Sequence, residues 1–247
     1  MIGVAVSGAA GQMGMLVADL VEQAADLQLV ARYDPHHPGG GITDDSAAVG
    51  KAEVVVEFTR PDVVMANLAN WRRLGVHAVV GTSGFGAERI AELVGMWGSG
   101  PPNCLVAPNF SVGAVLAMRF AELAAPHFQA AEVIELHHDR KLDAPSGTAL
   151  ATAERIGRAA PQSRATQANE LTPGARGALV SGVPVHAVRL PGLLAHQEVV
   201  LGSLGETLTI RHDTSDRQAF GPGILLAIRQ VADLPGVTIG IDKLLGV

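Results

Sequence analysis

Residues 2–20, I-G-V-A-V-S-G-A-A-G-Q-M-G-M-L-V-A-D-L, decide how the first part of the chain folds. An apolar run over 2–7 ends at a glycine, and apolar residues then recur at helical spacing from 12 to 25. The pattern predicts a strand, a tight turn and a helix. Gly8, Gly11 and Gly14 lie in that turn, where missing side chains let the backbone approach a pyrophosphate at the helix N-terminus. Because glycine triplets also serve plain turns, this motif is a weak signal by itself.

The same alternation of short apolar runs and amphipathic helices continues beyond this turn. Further strands are predicted at 27–33, 53–58, 76–80 and 104–107, with helices at 61–73 and 87–97 and a Pro- and Gly-rich turn or loop at 35–41. This order predicts a doubly wound parallel sheet of Rossmann-like type. A helix at 218–234 and a strand at 237–241 resume the rhythm, so we expect the chain to rejoin the first domain.

The middle of the chain has a different pattern. A helix at 111–125, a strand at 132–136 and a helix at 148–158 precede a polar loop that reaches about residue 177. Three β-type runs follow at 183–190, 196–201 and 207–212, joined by turns that contain glycine. These three runs favour an antiparallel sheet.

The composition favours a compact enzyme with a small-molecule partner. Hydrophobic residues make up 48% of the 247 residues and charged residues 17%, which is typical of an α/β protein. The net charge of -6, without any Lys/Arg-rich run, argues against nucleic acid and membrane partners. Cys104 is the sole cysteine, and no signal peptide or long apolar segment is visible, so we expect a cytoplasmic protein.

Three features after predicted strands are candidates for cofactor binding. Asp34 ends the second strand, where a carboxylate accepts hydrogen bonds from adenosine ribose hydroxyls and repels a 2′-phosphate. Arg60 offsets that repulsion or is an ordinary surface charge, so NADH is favoured without excluding NADPH. The segments 81–84 (G-T-S-G) and 107–110 (A-P-N-F) also follow strands, and they are either ligand loops or ordinary βα-loops.

Residues 135–149, E-L-H-H-D-R-K-L-D-A-P-S-G-T-A, form the most informative polar stretch. Adjacent side chains on an extended chain point to opposite sides, so His137 and His138 are expected to have separate tasks, and no metal site is predicted. Histidine titrates near neutral pH and a lysine such as Lys141 can have a lowered pKa, so both can supply protons to a substrate that accepts hydride.

The second half of this stretch predicts an anion site at the start of a helix. Ser146 is a good N-cap, and Gly147 and Thr148 then present backbone N–H groups at the positive end of the helix, which suits a carboxylate. Lys141 adds a full positive charge. The alternative is a capped helix beside two surface histidines, without a ligand.

The stretch 135–149 resembles the signature of the dihydrodipicolinate reductase family, most of all its actinobacterial members. The similarity covers essentially the whole chain and includes the segments 8–14, 58–59, 81–84, 107–110 and 185–189. It implies that NAD(P)H delivers a hydride to C4 of 4-hydroxy-tetrahydrodipicolinate, that water is lost and that tetrahydrodipicolinate results. This reaction belongs to lysine and diaminopimelate biosynthesis.

The resemblance also implies roles for individual residues. His137 is expected to be the proton donor and acceptor, Lys141 the second proton donor and His138 a substrate-binding histidine. Gly147 and Thr148 are expected to hold a substrate carboxylate. The family's cofactor contacts fall on Gly8, Ala9, Ala10, Gly11, Gln12, Met13, Asp34, Gly81, Thr82, Ser83, Ala107, Pro108, Asn109 and Phe110.

The family's architecture implies two domains. A dinucleotide-binding domain is expected over 1–109 and 217–247, and an inserted α+β domain with a mixed sheet over 110–216 is expected to bind substrate and form a homotetramer. Several positions depart from the family pattern. Gln12 stands where a basic residue is frequent and Pro35 where some members carry arginine, and both weaken any NADPH preference, so NADH or dual use is expected. Asp139 and Arg140, between the histidines and Lys141, are also less usual and can alter the charge environment of the lysine.

Two other functions remain to be weighed. The first is another two-domain NAD(P)-dependent amino-acid dehydrogenase, because one fold hosts many reactions. The His-His-x-x-Lys and Ser-Gly-Thr segments argue against it. The second is a non-catalytic NAD-binding sensor, which would bind NADH without turnover.

Overall fold

The computed structural model describes residues 1–160 and 169–247. The chain forms two compact units, the first made of Met1–Ser111 and Phe220–Gly246 and the second of Val112–Ala219 with Val247. The expected assignment of cofactor and substrate binding to 1–109 with 217–247 and to 110–216 stays a prediction. No helix within the described residues has the length and apolar character needed to cross a membrane.

The secondary structure of the described residues is as follows. The strands are β1 (Ile2–Ser7), β2 (Leu27–Tyr33), β3 (Ile42–Thr43), β4 (Val54–Glu57), β5 (His77–Val80), β6 (Cys104–Val106), β7 (Ala130–His137), β8 (Ala178–Val180), β9 (Val183–Arg189), β10 (Ala195–Ser203), β11 (Glu206–Thr214) and β12 (Val237–Ile239). The α-helices are α1 (Gln12–Gln23), α2 (Val64–Leu74), α3 (Ala87–Trp97), α4 (Val112–Ala124), α5 (Gly147–Ala159) and α6 (Gly221–Gln230). Short 3-10 helices span Ser46–Lys51, Ala125–His127, Arg217–Phe220, Val231–Asp233 and Asp242–Leu245.

The first unit contains a parallel sheet of seven described strands in the order β12-β6-β5-β4-β1-β2-β3. The predicted doubly wound parallel sheet is therefore confirmed. The strand order reverses between β1 and β4, because β2 and β3 lie on one side of β1 and the later strands lie on the other. Ligands of open α/β sheets bind at the carboxyl ends of the strands at such a reversal.

Some element boundaries in the first unit differ from the prediction. Residues 61–63 form a turn in which Val64 N donates to Arg60 O, so the helix predicted at 61–73 begins at Val64. The helix predicted at 218–234 contains α6 between two 3-10 helices. The two-residue strand β3, which pairs with the end of β2, was not predicted because it is too short to show a period.

The second unit contains a mixed sheet of described strands in the order β11-β10-β7-β9-β8. β10 is antiparallel to both β11 and β7, whereas β9 runs parallel to β7. The expectation of an antiparallel sheet over 183–190, 196–201 and 207–212 is thus wrong for the first run. α5 lies between β7 and β9 in the chain and packs on both, and a helical crossover of this kind joins parallel strands.

The predicted polar loop before residue 178 is described only in part. Its residues 161–168 lie outside the described residues, and residues 169–177 form turns and irregular chain. The short strand β8 follows and was not predicted.

Alternation along β7 positions the chemistry of the second unit. Ala131 and Val133 point into the core, where they pack with Ile156 of α5 and Val199 of β10. Since side chains on one face of a strand recur every second residue, Glu135 is directed to the same buried face. It is fully buried, so a carboxyl group lies at the end of an apolar core.

Two helical glycines give a matched test of this packing. A Cβ on Gly157 of α5 would lie 2.3 Å from Ser181 O, whereas a Cβ on Gly95 of α3 meets nothing within 4 Å. We expect Gly157→Ala to destabilise the protein by about 1–3 kcal/mol because overpacking forces the backbone apart. Gly95→Ala should be neutral or stabilising by up to about 1 kcal/mol, since alanine favours a helix. Calorimetric melting temperatures measure both changes, and equal effects would contradict the packing.

Candidate active site

Two positions of the glycine turn after β1, Gly8 and Gly14, have no room for a side chain. Gly8 has φ +79°, and a Cβ there would lie 2.2 Å from Phe58 O. A Cβ on Gly14 would lie 2.1 Å from Gly8 O, so helix α1 packs directly against the turn. Gly11 is the N-cap of α1 and supplies no side-chain hydrogen bond. The first N–H groups of α1 therefore lack a side-chain cap, which suits an anionic group of a ligand.

Asp34 lies beside this turn at the end of β2. It is 9% exposed, and its Oδ2 accepts a hydrogen bond of 3.4 Å from Ala10 N. Its Oδ1 accepts one of 3.1 Å from His36 N and lies 3.4 Å from His37 Nδ1. The tertiary structure thus brings together the predicted glycine turn and the predicted ribose carboxylate, which are distant in sequence.

The two other predicted cofactor loops follow β5 and β6 at the same edge of the sheet. A Cβ on Gly81 would lie 2.1 Å from the Phe58 ring, which packs directly on the Gly81 backbone. The Phe58 and Phe110 rings are tilted with centroids 5.8 Å apart. Thr82 is buried, and its hydroxyl accepts a hydrogen bond of 2.9 Å from Thr59 N.

The remaining residues of these loops differ in exposure. Ala107 is buried, Asn109 is half-buried, and Ser83 and Pro108 are exposed. Gln12 and Met13 are the first two residues of α1. Arg60 is exposed and forms an ion pair of 3.1 Å with Asp62, as expected of a surface charge.

Glu135 is the centre of the polar groups in the second unit. Its carboxylate receives two parallel hydrogen bonds from Arg189, of 2.9 Å from Nη1 and 2.8 Å from Nη2. Ser146 N donates to Glu135 Oε1 at 3.0 Å, and His137 Nδ1 lies 2.5 Å from Oε2. Arg189 Nη2 also donates to Asp143 O at 2.6 Å. One carboxylate therefore links β7, β9 and the loop that enters α5.

The ionisation state of Glu135 determines which ring nitrogen of His137 is already used in a hydrogen bond. Burial raises the pKa of Glu135, but hydrogen bonds from His137, Arg189 and Ser146 outweigh burial and lower it to about 2. Glu135 is thus ionised near neutral pH and accepts a hydrogen bond from His137 Nδ1–H. Because Nδ1 is occupied in this way, Nε2 is the ring nitrogen left for contact with a ligand.

The loop after His137 carries the predicted lysine. Lys141 Nζ donates to both carboxylate oxygens of Asp143, at 2.8 and 2.9 Å, and holds the pKa of Asp143 below its ordinary value. An ammonium group has three N–H donors, so one remains for a further acceptor. The Nδ1 of His138 is buried and has no hydrogen-bond partner among the described residues.

The N-terminus of α5 adjoins this loop. Ser146 is the N-cap, as predicted, and its hydroxyl accepts a hydrogen bond of 3.2 Å from Ala149 N. Gly147 and Thr148 are the first two helical residues. The structure therefore connects His137 to the predicted carboxylate site through Glu135 and Ser146.

Two residues of this site were not assigned a role from the sequence, namely Glu135 and Arg189. The position of Glu135 two residues before His137 on one strand was a usable signal, since both side chains belong to the same face. Arg189 gave no local signal because it meets Glu135 only through the parallel pairing of β7 with β9.

The fold and the site together define an NAD(P)-binding oxidoreductase with a Rossmann-like unit and a second unit built on a mixed sheet. Family models described as "Dihydrodipicolinate reductase, N-terminus" and "Dihydrodipicolinate reductase, C-terminus" match residues 2–110 and 113–245. The chain belongs to the dihydrodipicolinate reductase family. Membership makes it a reductase of lysine and diaminopimelate biosynthesis, and neither another dehydrogenase activity nor a non-catalytic sensor is favoured.

Individual relatives agree with this assignment over the full chain. The 4-hydroxy-tetrahydrodipicolinate reductase of Mycobacterium marinum is 54% identical over 98% of each chain. That of Nocardia farcinica is 50% identical over 99% of this chain and 98% of its own. The structure of dipicolinate-bound dihydrodipicolinate reductase from Paenisporosarcina sp. TG-14 superposes with a TM-score of 0.85 at 36% identity, over 98% of this chain and 99% of that one.

The depressed pKa of Glu135 predicts how the fold responds to acid. Its pKa in the folded protein, about 2, lies below its ordinary value of 4.5, so ionisation favours folding. This contribution is complete above pH 4.5 and is lost as the pH falls towards 2. Glu135→Gln removes this ionisable group and leaves Arg189 without a charged partner. We expect the melting temperature of the variant at neutral pH to be lower by about 5 °C or more, and to fall less than that of the unmodified protein as the pH is lowered.

The exposed carboxylate Glu206 provides the control for this acid titration. Melting curves of Glu206→Gln from neutral pH towards pH 2 should follow those of the unmodified protein. If Glu135→Gln also runs parallel to the unmodified protein throughout this range, the low pKa of Glu135 does not stabilise the fold.

Proposed function

We propose that the chain reduces 4-hydroxy-tetrahydrodipicolinate to tetrahydrodipicolinate with NADH or NADPH, using His137 as proton donor and acceptor and Lys141 as the second proton donor. The balanced reaction takes up one hydride and one proton and releases the 4-hydroxyl group as water. The observation that carries the proposal is the buried Glu135, which binds His137, Arg189 and the N-terminus of the helix that begins with Gly147.

The nucleotide would bind at the glycine turn of the first unit. The candidate contacts are Gly8, Ala9, Ala10, Gly11, Gln12, Met13, Asp34, Gly81, Thr82, Ser83, Ala107, Pro108, Asn109 and Phe110. Its pyrophosphate suits the α1 N-terminus, which has no side-chain cap. The reduced nicotinamide supplies the hydride when it is bound. Asp34 beside the turn supports ribose binding and favours NADH or dual use.

The substrate is a heterocyclic dicarboxylate, and the second unit offers suitable donors for its carboxylates. Gly147 and Thr148 at the positive end of α5 would bind one carboxylate, with His138 as a further substrate contact. The unpartnered Nδ1 of His138 supports that contact. The Paenisporosarcina relative was solved with dipicolinate, a planar dicarboxylate of the same class, which supports this substrate class.

The proton steps follow from the hydrogen bonds of His137. While Glu135 keeps the Nδ1–H of His137, a protonated His137 can release a proton from Nε2 and regain it from solvent. Lys141 supplies the second donor, and its charge also attracts the anionic substrate. Its pairing with Asp143 keeps the ammonium group oriented before substrate arrives.

Substitution of the two proposed proton donors separates their roles. We expect His137→Ala to lower kcat by about 100-fold or more with little change in substrate KM, because it removes an acid that acts in the transition state. Lys141→Ala should lower kcat and raise substrate KM, because it also removes a binding charge. The exposed neighbour Arg140 gives the matched control, and Arg140→Ala should retain activity.

The assay is the oxidation of NADH, followed by its absorbance, with substrate generated from pyruvate and aspartate semialdehyde by the preceding synthase. Equal, mild losses in His137→Ala and Lys141→Ala would contradict these roles. No substrate-dependent oxidation by a folded protein that binds NADH would contradict the proposed reaction.

Cofactor choice is expected to depend on Asp34. The unmodified protein should use NADH at least as well as NADPH, since this carboxylate repels a 2′-phosphate. Asp34→Asn should raise the ratio of kcat/KM for NADPH to that for NADH by about tenfold. Asp44 is an exposed carboxylate that serves as the control, and Asp44→Asn should leave the ratio unchanged. An unchanged ratio in Asp34→Asn would exclude this role.

The assembly proposed for the chain is a homotetramer in the cytoplasm. Helices α4 and α5 pack on the face of the mixed sheet that carries Val133 and Val199. On the opposite face, Ile134 and Val200 are only partly buried. Ile134 lies opposite Glu198 and Val200 opposite Glu132, and this mixed apolar and charged surface supports a contact with further copies of the chain.

A further inference from the structure

A second carboxyl group, Glu57, is fully buried at the carboxyl end of β4. It lies beside the point where the strand order of the parallel sheet reverses. Three neutral donors surround it. The Thr59 hydroxyl donates to Oε1, and Asn67 Nδ2 donates to the same oxygen at 3.0 Å. Trp71 Nε1 donates to Oε2 at 2.8 Å.

Thr59 joins Glu57 to the neighbouring loop as well. Its backbone N–H donates to Thr82 Oγ1 at 2.9 Å, and the Thr82 hydroxyl donates to the backbone oxygen of Glu57 at 3.2 Å. The ends of β4 and β5 are therefore linked by a ring of hydrogen bonds. Breaking the Thr59–Glu57 bond would release the side chain of Thr59 from this ring.

The turn formed by Phe58 and Thr59 touches two of the loops proposed to bind the nucleotide. Phe58 O lies 2.2 Å and Thr59 Cγ2 3.1 Å from the position that a Cβ on Gly8 would occupy. The Phe58 ring lies 2.1 Å from the corresponding position on Gly81. Packing this close leaves no space to absorb a shift, so displacement of the turn would move both loops.

We propose that Glu57 and Thr59 are positioning residues for the nucleotide, because their hydrogen bond fixes the turn 58–59 between Gly8 and Gly81. This inference rests on the proposed function of those loops. The pair acts through the backbone of the loops and contributes no proton to the reaction. An interaction that supports binding equally in the ground and transition states changes KM and leaves kcat unaltered.

The test replaces Thr59 by two residues that separate its hydroxyl from its methyl group. Thr59→Val keeps the shape and removes the donor to Glu57, whereas Thr59→Ser keeps the donor. We expect Thr59→Val to raise the KM and Kd for NADH by about tenfold, with kcat and the substrate KM within about twofold. Thr59→Ser should remain within about threefold of the unmodified protein in all four quantities.

Trp71→Phe separates positioning from general destabilisation. This substitution removes the donor to Glu57 Oε2, whereas Thr59 donates to Oε1. Trp71 also belongs to the hydrophobic core of the unit. Its melting temperature should fall while its Kd for NADH changes by less than about twofold. NADH fluorescence titration and calorimetry on the full chain give both values.

Three outcomes would overturn the proposal. These are an unchanged Kd in Thr59→Val, an equal loss in Thr59→Ser, and an equal rise in Kd in Trp71→Phe. The Kd for NADH is measured without substrate, so the comparison of variants remains valid even if the unmodified protein binds NADH but does not reduce the substrate. Binding of NADH without reduction of the substrate would contradict the proposed reaction but not the proposed role of Glu57 and Thr59.

Discussion

The second unit depends on one interaction, the buried contact between the Glu135 carboxylate and the Arg189 guanidinium. The Glu135 side chain is fully buried and that of Arg189 is 18% exposed, and an ion without a partner is disfavoured at such a site. The two parallel hydrogen bonds between them fix β7 against β9, and the remaining capacity of the carboxylate is used by His137 and Ser146. The orientation of His137 and the position of the α5 N-terminus therefore share a single anchor.

The first unit is organised by close contacts at its glycines. Gly8, Gly14 and Gly81 each lie where a side chain would overlap with a neighbouring atom. Their absence of side chains brings α1, the turn 58–59 and the loop after β5 together at the carboxyl ends of the strands. The surface at this edge is thus formed by backbone atoms next to Gly8 and Gly14 and by the Phe58 ring next to Gly81.

The two units nevertheless share one feature, a buried glutamate. Each has a fully buried glutamate at or near the carboxyl end of a strand, Glu57 in the first and Glu135 in the second. Glu135 is compensated by a cation, in keeping with its lowered pKa and its hydrogen bond to His137. Glu57 receives neutral donors only among its described contacts, in keeping with a role in holding a turn.

The sequence by itself determined the local elements and the chemistry they carry. The period of the apolar residues predicted the strand, turn and helix of residues 2–20, and Ser146 was predicted as a cap because its hydrogen bond lies within one turn. The tertiary structure decided the pairing of β9 with β7, the contact of Asp34 with Ala10 and the meeting of Arg189 with Glu135. These contacts join residues 24 to 54 positions apart, and no local period encodes them because they arise only when strand order and burial are set by the whole fold.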